Sequence, residues 1–387
     1  MRTSIRILLV NRRLLLSRCY NNGLPRNQTK ILIRATNWVG DAVMSLPAIR
    51  AVRETFPGAH LTVLARAAVA DLYAREGALD GVMLYTGDRR RTAAELRREG
   101  FDCAILLPNS FDAALTACLA RIPRRIGYRR DGRGWLLTEA IPPPQPGEIP
   151  RHQRFYYLEL LRRAGIVHEY PACADIRLDG REAARAGGLE ALRVAGLLER
   201  DAPVIGVSPG AAYGDAKRWL PERFAETAVL VARTHAASVA LFGAAAEREL
   251  CASLADAIRA AGIAVRNFAG RTTLRQFIDL AAACRLFLTN DSGAMHIASA
   301  LGVPTVTVFG ATDDTTTGPM GAWARVVREQ VECSPCLLRA CPIDHRCMTR
   351  VTTARVAAVA LDLLAQAQPL TTSHQPPTTA SAVRPPG

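Results

Sequence analysis

Phe287-Leu-Thr-Asn-Asp-Ser-Gly-Ala-Met-His296, followed by Ile297-Ala-Ser-Ala-Leu-Gly-Val-Pro-Thr-Val-Thr-Val-Phe309, reads as strand, turn, helix, strand. Leu286 to Leu288 is a short apolar run of the kind buried in a parallel sheet. Asn290, Asp291, Ser292 and Gly293 form a polar turn able to cap a helix that begins near Ala294. Gly302-Val303-Pro304 stops that helix, and Thr305 to Phe309 supplies the next strand. Backbone N–H groups at a helix start have no partners within the helix, and the dipole there favours an anion. Asp291, Ser292, Gly293 and, one turn on, His296 therefore converge where a phosphate fits; an ordinary capped turn is the other reading.

The same alternation runs outward in both directions. Ile31-Leu32-Ile33 is a strand, and Arg34-Ala-Thr-Asn-Trp-Val-Gly-Asp41 is a loop with Gly40 for a tight turn and Asp41 at a helix start. Apolar residues from Ala42 to Val52 recur at helical spacing until Phe56-Pro57-Gly58. Further strand and helix signals follow to Leu107. A second series opens at Val204-Ile-Gly-Val207 and the loop Ser208-Pro-Gly-Ala-Ala-Tyr-Gly-Asp-Ala-Lys-Arg-Trp219. Strands separated by helices of this length predict parallel sheets covered on both faces, with ligands at the strands' carboxyl ends. The 387 residues suit two such domains. The expected division is a basic extension over 1–29, domains over 30–180 and 181–350, a helix over 351–367 and a disordered Pro/Thr/Ser tail over 368–387.

Charge is unevenly placed. The chain carries a formal +14, but residues 1–180 hold 28 Lys/Arg against 17 Asp/Glu, a net of +11. A basic N-terminal half points to an anionic partner. Arg121 to Arg133 packs six arginines among Gly and Pro and reads as an exposed basic loop, Arg129 and Arg133 included. Nucleic acid is disfavoured, because no binding motif and no aromatic interleaving accompanies the charge. No run of about 18 uncharged apolar residues exists, so no membrane-spanning helix is expected. Arg2 to Arg18 lacks the apolar core and cleavage site of a signal peptide.

Candidate chemistry lies in the loops. Asp41 either satisfies helix-start amides or serves as a general base in a cleft. Lys30 and Lys217 are the only lysines in a chain that otherwise uses arginine. A lysine kept in a Gly-rich strand-end loop suits a compact charge against phosphate oxygens. Glu247 can accept from a ribose or simply sit at a helix start. Cys333, Cys336, Cys341 and Cys347, with His345 nearby, have a plausible count for zinc or an iron–sulfur cluster, although the spacings are not those of a standard ribbon. Reduced structural thiols are the alternative, and the scattered remaining cysteines suit a reducing compartment. The first domain lacks a Gly-x-Gly-x-x-Gly and the chain lacks a Walker A sequence, which disfavours nicotinamide oxidoreductases and P-loop NTPases.

Taken together, Arg34 to Asp41, Pro209-Gly210-Ala211 through Lys217-Arg218-Trp219, and Asn290 to His296 resemble the ADP-heptose:lipopolysaccharide heptosyltransferases, glycosyltransferase family 9, over roughly Lys30 to Leu364. The resemblance implies a GT-B fold, two Rossmann-like domains facing across a cleft. It further implies an inverting transfer of heptose from ADP-heptose, with no cofactor required. It assigns Asp41 as base and Lys217 as the charge that meets the departing ADP. Ser208, Gly210, Glu247, Asp291, Ser292, Gly293 and His296 would hold the donor. Asn37, Trp38, Arg129 and Arg133 would hold an anionic lipopolysaccharide-core acceptor at the cytoplasmic face of the inner membrane. Asn37-Trp38 and the cysteine segment resemble the branch that adds the second heptose. Its rivals are the branch that adds the first heptose and a non-catalytic binding protein.

Overall fold

The computed structural model describes residues 29–171, 175–198 and 202–367. The expected N-terminal extension up to residue 28 and the tail from 368 lie outside the described residues. Two six-stranded, all-parallel sheets organise the rest. The first contains β1 (Lys30–Arg34), β2 (His60–Ala65), β3 (Gly81–Leu84), β4 (Cys103–Leu106), β5 (Arg124–Tyr128) and β6 (Glu139–Ile141). Its order is β3-β2-β1-β4-β5-β6. The second contains β7 (Val204–Ser208), β8 (Ser238–Leu241), β9 (Val265–Asn267), β10 (Leu286–Asn290), β11 (Thr305–Phe309) and β12 (Ala324–Arg328), in the order β12-β11-β10-β7-β8-β9. Counted from its own first strand, each sheet has the same doubly wound order, with its switch point between first and fourth strands. This is the GT-B arrangement of two Rossmann-like domains.

Burial on both faces explains the apolar strands. Along β1, Ile31 and Ile33 enter one apolar cluster while Leu32 enters another with Leu64 and Leu106. In the second sheet Ile205, Val207, Leu286 and Leu288 share one cluster, and Phe287 points the other way. The cluster holding Ile31 and Phe287 is continuous across both sheets and includes Ile278 and Ile297, so the two domains are packed together. The closing helix, Thr353–Gln366, lies on the second sheet's helix Pro221–His235.

Two local expectations change. The helix after β1 is split into Val39–Met44 and Leu46–Thr55, because Ser45 turns its hydroxyl onto Ala42 O at 2.8 Å and Pro47 opens a new first turn. The arginine-dense stretch is not all loop: Arg124–Tyr128 is β5, with Ile126, Gly127 and Tyr128 buried. Among the described residues no helix is long and apolar enough to cross a membrane.

Candidate active site

Carboxyl ends of both sheets open on one cleft of about 940 Å³ between the domains. Its walls include Trp38, Asp41, Ser208, Gly210, Lys217, Glu247, Asp291, Ser292, Gly293 and His296. Three predicted residues lie elsewhere. Asn37 is exposed and its amide oxygen accepts from Arg34 at 3.3 Å. Arg129 is exposed beyond the cleft walls. Arg133 is fully buried rather than offered to solvent. Its guanidinium donates to the carbonyls of Tyr128 at 3.0 Å and Ser110 at 3.2 Å, and to Pro108 O. It is a tie between loops, which its place in an arginine-rich run concealed.

The second domain's part of the site is firmly stitched. Asn290, at the end of β10, accepts from the Trp219 N–H at 2.9 Å and donates to Pro209 O at 2.7 Å, joining the β10 turn to both ends of the β7 loop. Asp291 Oδ2 accepts from Lys217 Nζ at 2.5 Å and from Thr312 Oγ1 at 2.6 Å. Ser292 caps the helix Gly293–Ala300, its hydroxyl accepting from Met295 N–H at 3.4 Å. The start of that helix, with its free amides, faces the cleft. Glu247 Oε2 accepts from Ala244 N–H at 2.7 Å, and a Cβ on Gly210 would collide with its carboxylate. Beyond Glu247 the cleft turns apolar at Phe242, Leu274 and Phe277.

Asp41 enters from the first domain, in the first turn of Val39–Met44. Burial pushes its carboxyl above the ordinary carboxylate range; the Tyr157 hydroxyl and the Lys217 charge pull it back. Tyr157 O–H donates to Asp41 Oδ1 at 3.0 Å. Neither Tyr157 nor Thr312 has a local sequence signal, since each reaches its partner only through tertiary contact. His296 is buried, and burial lowers its imidazole to about 4, so it is neutral near pH 7. A Cβ on Gly40 would lie 2.8 Å from His296 Cδ2, and one on Gly293 would lie 2.8 Å from Val39 Cβ. The two helix starts thus cross at a distance that only glycine permits.

The cysteine segment is not a metal centre. Among the described residues no group of three or more His, Cys, Asp or Glu is arranged to hold a metal ion. Cys333, Cys336, Cys341 and Cys347 are free thiols. Burial, then the neighbouring cysteines, push the Cys347 thiol up to about 11. The segment instead straps the Lys217 loop. Ala216 N–H donates to Arg339 O at 3.0 Å, Tyr213 O–H to Leu337 O at 2.8 Å, and His345 Nε2 lies 3.1 Å from Ala216 O.

A part-buried carboxylate, Asp41, and a lysine beside a helix start, Lys217, are brought from two domains to one cleft. The family model described as glycosyltransferase family 9 (heptosyltransferase) matches residues 89–346. Lipopolysaccharide heptosyltransferase 2 from Salmonella typhimurium is 34% identical over 312 residues, spanning 77% of this chain and 88% of that protein. The structure of E. coli ADP-heptose lps heptosyltransferase II superimposes with a TM-score of 0.75 at 31% identity, covering 87% of this chain and 99% of that one. E. coli heptosyltransferase WaaC with ADP shares the fold, with a TM-score of 0.65 at 18% identity. The chain belongs to glycosyltransferase family 9, the heptosyltransferases.

Proposed function

We propose that this enzyme transfers L-glycero-D-manno-heptose from ADP-heptose to the first heptose of the lipopolysaccharide inner core, with inversion at the anomeric carbon. The observation that carries this reading is the convergence of Asp41 and Lys217 on one interdomain cleft, in a chain 34% identical to a lipopolysaccharide heptosyltransferase 2. The Asp41 carboxylate takes the proton of an acceptor hydroxyl. That oxygen forms a bond to the anomeric carbon as the bond from carbon to the β-phosphate oxygen breaks. The electron pair leaves with ADP, whose diphosphate meets Lys217 and the amides of the Gly293–Ala300 helix start.

Asp291 takes one of the three N–H donors of the Lys217 ammonium, so a phosphate oxygen can engage another. Glu247 suits the ribose hydroxyls, and Phe277 and Leu274 suit the base beyond it. Exposed Arg129 and Arg130, on the positively charged first domain, suit the carboxylates and phosphates of the acceptor. The same charge supports a peripheral position on the cytoplasmic face of the inner membrane.

The test is ADP release from ADP-heptose, with Kdo₂-lipid A that does or does not already carry one heptose. Release that requires the heptosylated acceptor and falls by about 10²–10⁴ in Asp41→Asn supports the reading. Release with bare Kdo₂-lipid A moves the activity to the first heptose. Undiminished turnover in Asp41→Asn removes the base assignment.

A further inference from the structure

Asp41 belongs to the first domain, and so does the helix that aims it, but the residues leading into that helix reach across to the second. Tyr157, 3% exposed, holds Asp41 Oδ1 from the helix Arg154–Arg163. The residues immediately before that helix cross the cleft to the turn after β11. Gln153 N–H donates to Thr316 O at 2.9 Å. His152 Nε2 lies 3.1 Å from Gly318 O, while its Nδ1 accepts from Arg154 N–H at 3.3 Å, which fixes the Nε2–H tautomer. Arg151 pairs with Asp313. The same turn begins at Thr312, which bonds the carboxylate of Asp291 that holds Lys217.

Polar contacts and the short stretches of main chain between them therefore join Lys217, Asp291, Thr312, the 313–318 turn, residues 151–153, Tyr157 and Asp41. We propose that Tyr157 is the positioning residue of Asp41, and that the cross-domain latch between residues 151–153 and the 313–318 turn sets its station. The proposal rests on the reading of Asp41 as the base. Alignment of the base then depends on the donor domain being docked, so that the acceptor hydroxyl is activated only where the leaving group is already held.

The groups facing Asp41 are Tyr157, Lys217 and Tyr73, with neutral His296 across Gly40. Of these Tyr157 is the hydroxyl bonded to its side chain, and that bond favours the charged carboxylate. Removing it raises the Asp41 pKa, so activity is lost at a higher pH on the acid side.

The experiment is Tyr157→Phe, which keeps the buried ring, beside Arg151→Ala, whose side chain is 69% exposed. Acceptor-dependent ADP release is followed across pH, and Asp41 is titrated directly by carboxylate-detected NMR, assigned with Asp41→Asn. Tyr157→Phe is expected to lower kcat about 10-fold, leave KM for ADP-heptose within about twofold, and move both the acid limb and the Asp41 titration to higher pH. Arg151→Ala is expected to act in the same direction by about threefold, as an exposed ion pair should. An unmoved Asp41 titration with wild-type kcat in Tyr157→Phe overturns the positioning role. An unchanged Arg151→Ala beside an altered Tyr157→Phe overturns the latch. Should Asp41→Asn keep its turnover, the base reading falls, while the titration still reports whether Tyr157 holds the carboxylate.

Discussion

The two sheets are wound alike, but the loops that follow their first strands are built in opposite ways. Behind β7, the loop to Trp219 is tied by the Asn290 amide at both ends, by Trp219 Nε1 donating to Val351 O at 3.0 Å, and by the cysteine strap along its back. Behind β1, Asn37 and Trp38 stand exposed, and Trp38 is 58% accessible. Asp41 is steadied from a helix more than a hundred residues further on. One side arrives preassembled, as suits a charged nucleotide that must be gripped at fixed points. The other stays open, as suits a large acceptor that must enter and leave. Equal topology therefore does not give equal rigidity.

The strongest way to break this contrast is Lys217→Ala. If the tied loop exists to hold that charge against a departing diphosphate, kcat should fall about 10²–10³-fold. A change confined to KM would show Lys217 to be a binding residue only, on steady-state assays at saturating acceptor. Gly210→Ala strikes the same domain more gently. Its new methyl must drive the Glu247 carboxylate from its place. KM for ADP-heptose should rise about 10-fold with kcat within about twofold; an unaltered KM would detach Glu247 from the donor.

On the open side the expected effects are smaller. Arg129→Ala should raise the acceptor KM about threefold, in line with an exposed charge. Arg133→Ala should act differently, lowering Tm by about 5–10 °C because three carbonyls lose a buried donor. Equal kinetic effects of the two on acceptor binding, with no thermal difference, would erase the distinction drawn between them.

What could be read from the chain was what is local. Asn290 to Gly293 announced a capped strand-to-helix turn, and Ser292 is the cap. Lys217 stood out because the chain otherwise avoids lysine. Alternating apolar runs gave the parallel, doubly wound sheets. What stayed hidden was what topology brings together. Tyr157 looks like one more aromatic on a helix whose apolar face is Phe155, Leu158 and Leu161, and 116 positions separate it from Asp41. Thr312 carries no pattern at all. The arginine run misled because density of charge says little about direction: β5 needs only Ile126 and Tyr128 inward, while Arg133 folds back to bind carbonyls. The four cysteines suggested a cluster by count, but count does not fix geometry, and the segment proved to be a brace.

That brace makes the back of the Lys217 loop chemically addressable. Cys333 is exposed, and Cys336 and Cys341 are partly so, on the segment whose carbonyls clasp Tyr213 and Ala216. A thiol-reactive fluorophore placed there would stand behind the Lys217 loop without entering the cleft. It would serve as an optical reporter of donor arrival and ADP departure, read in real time and without a coupled assay.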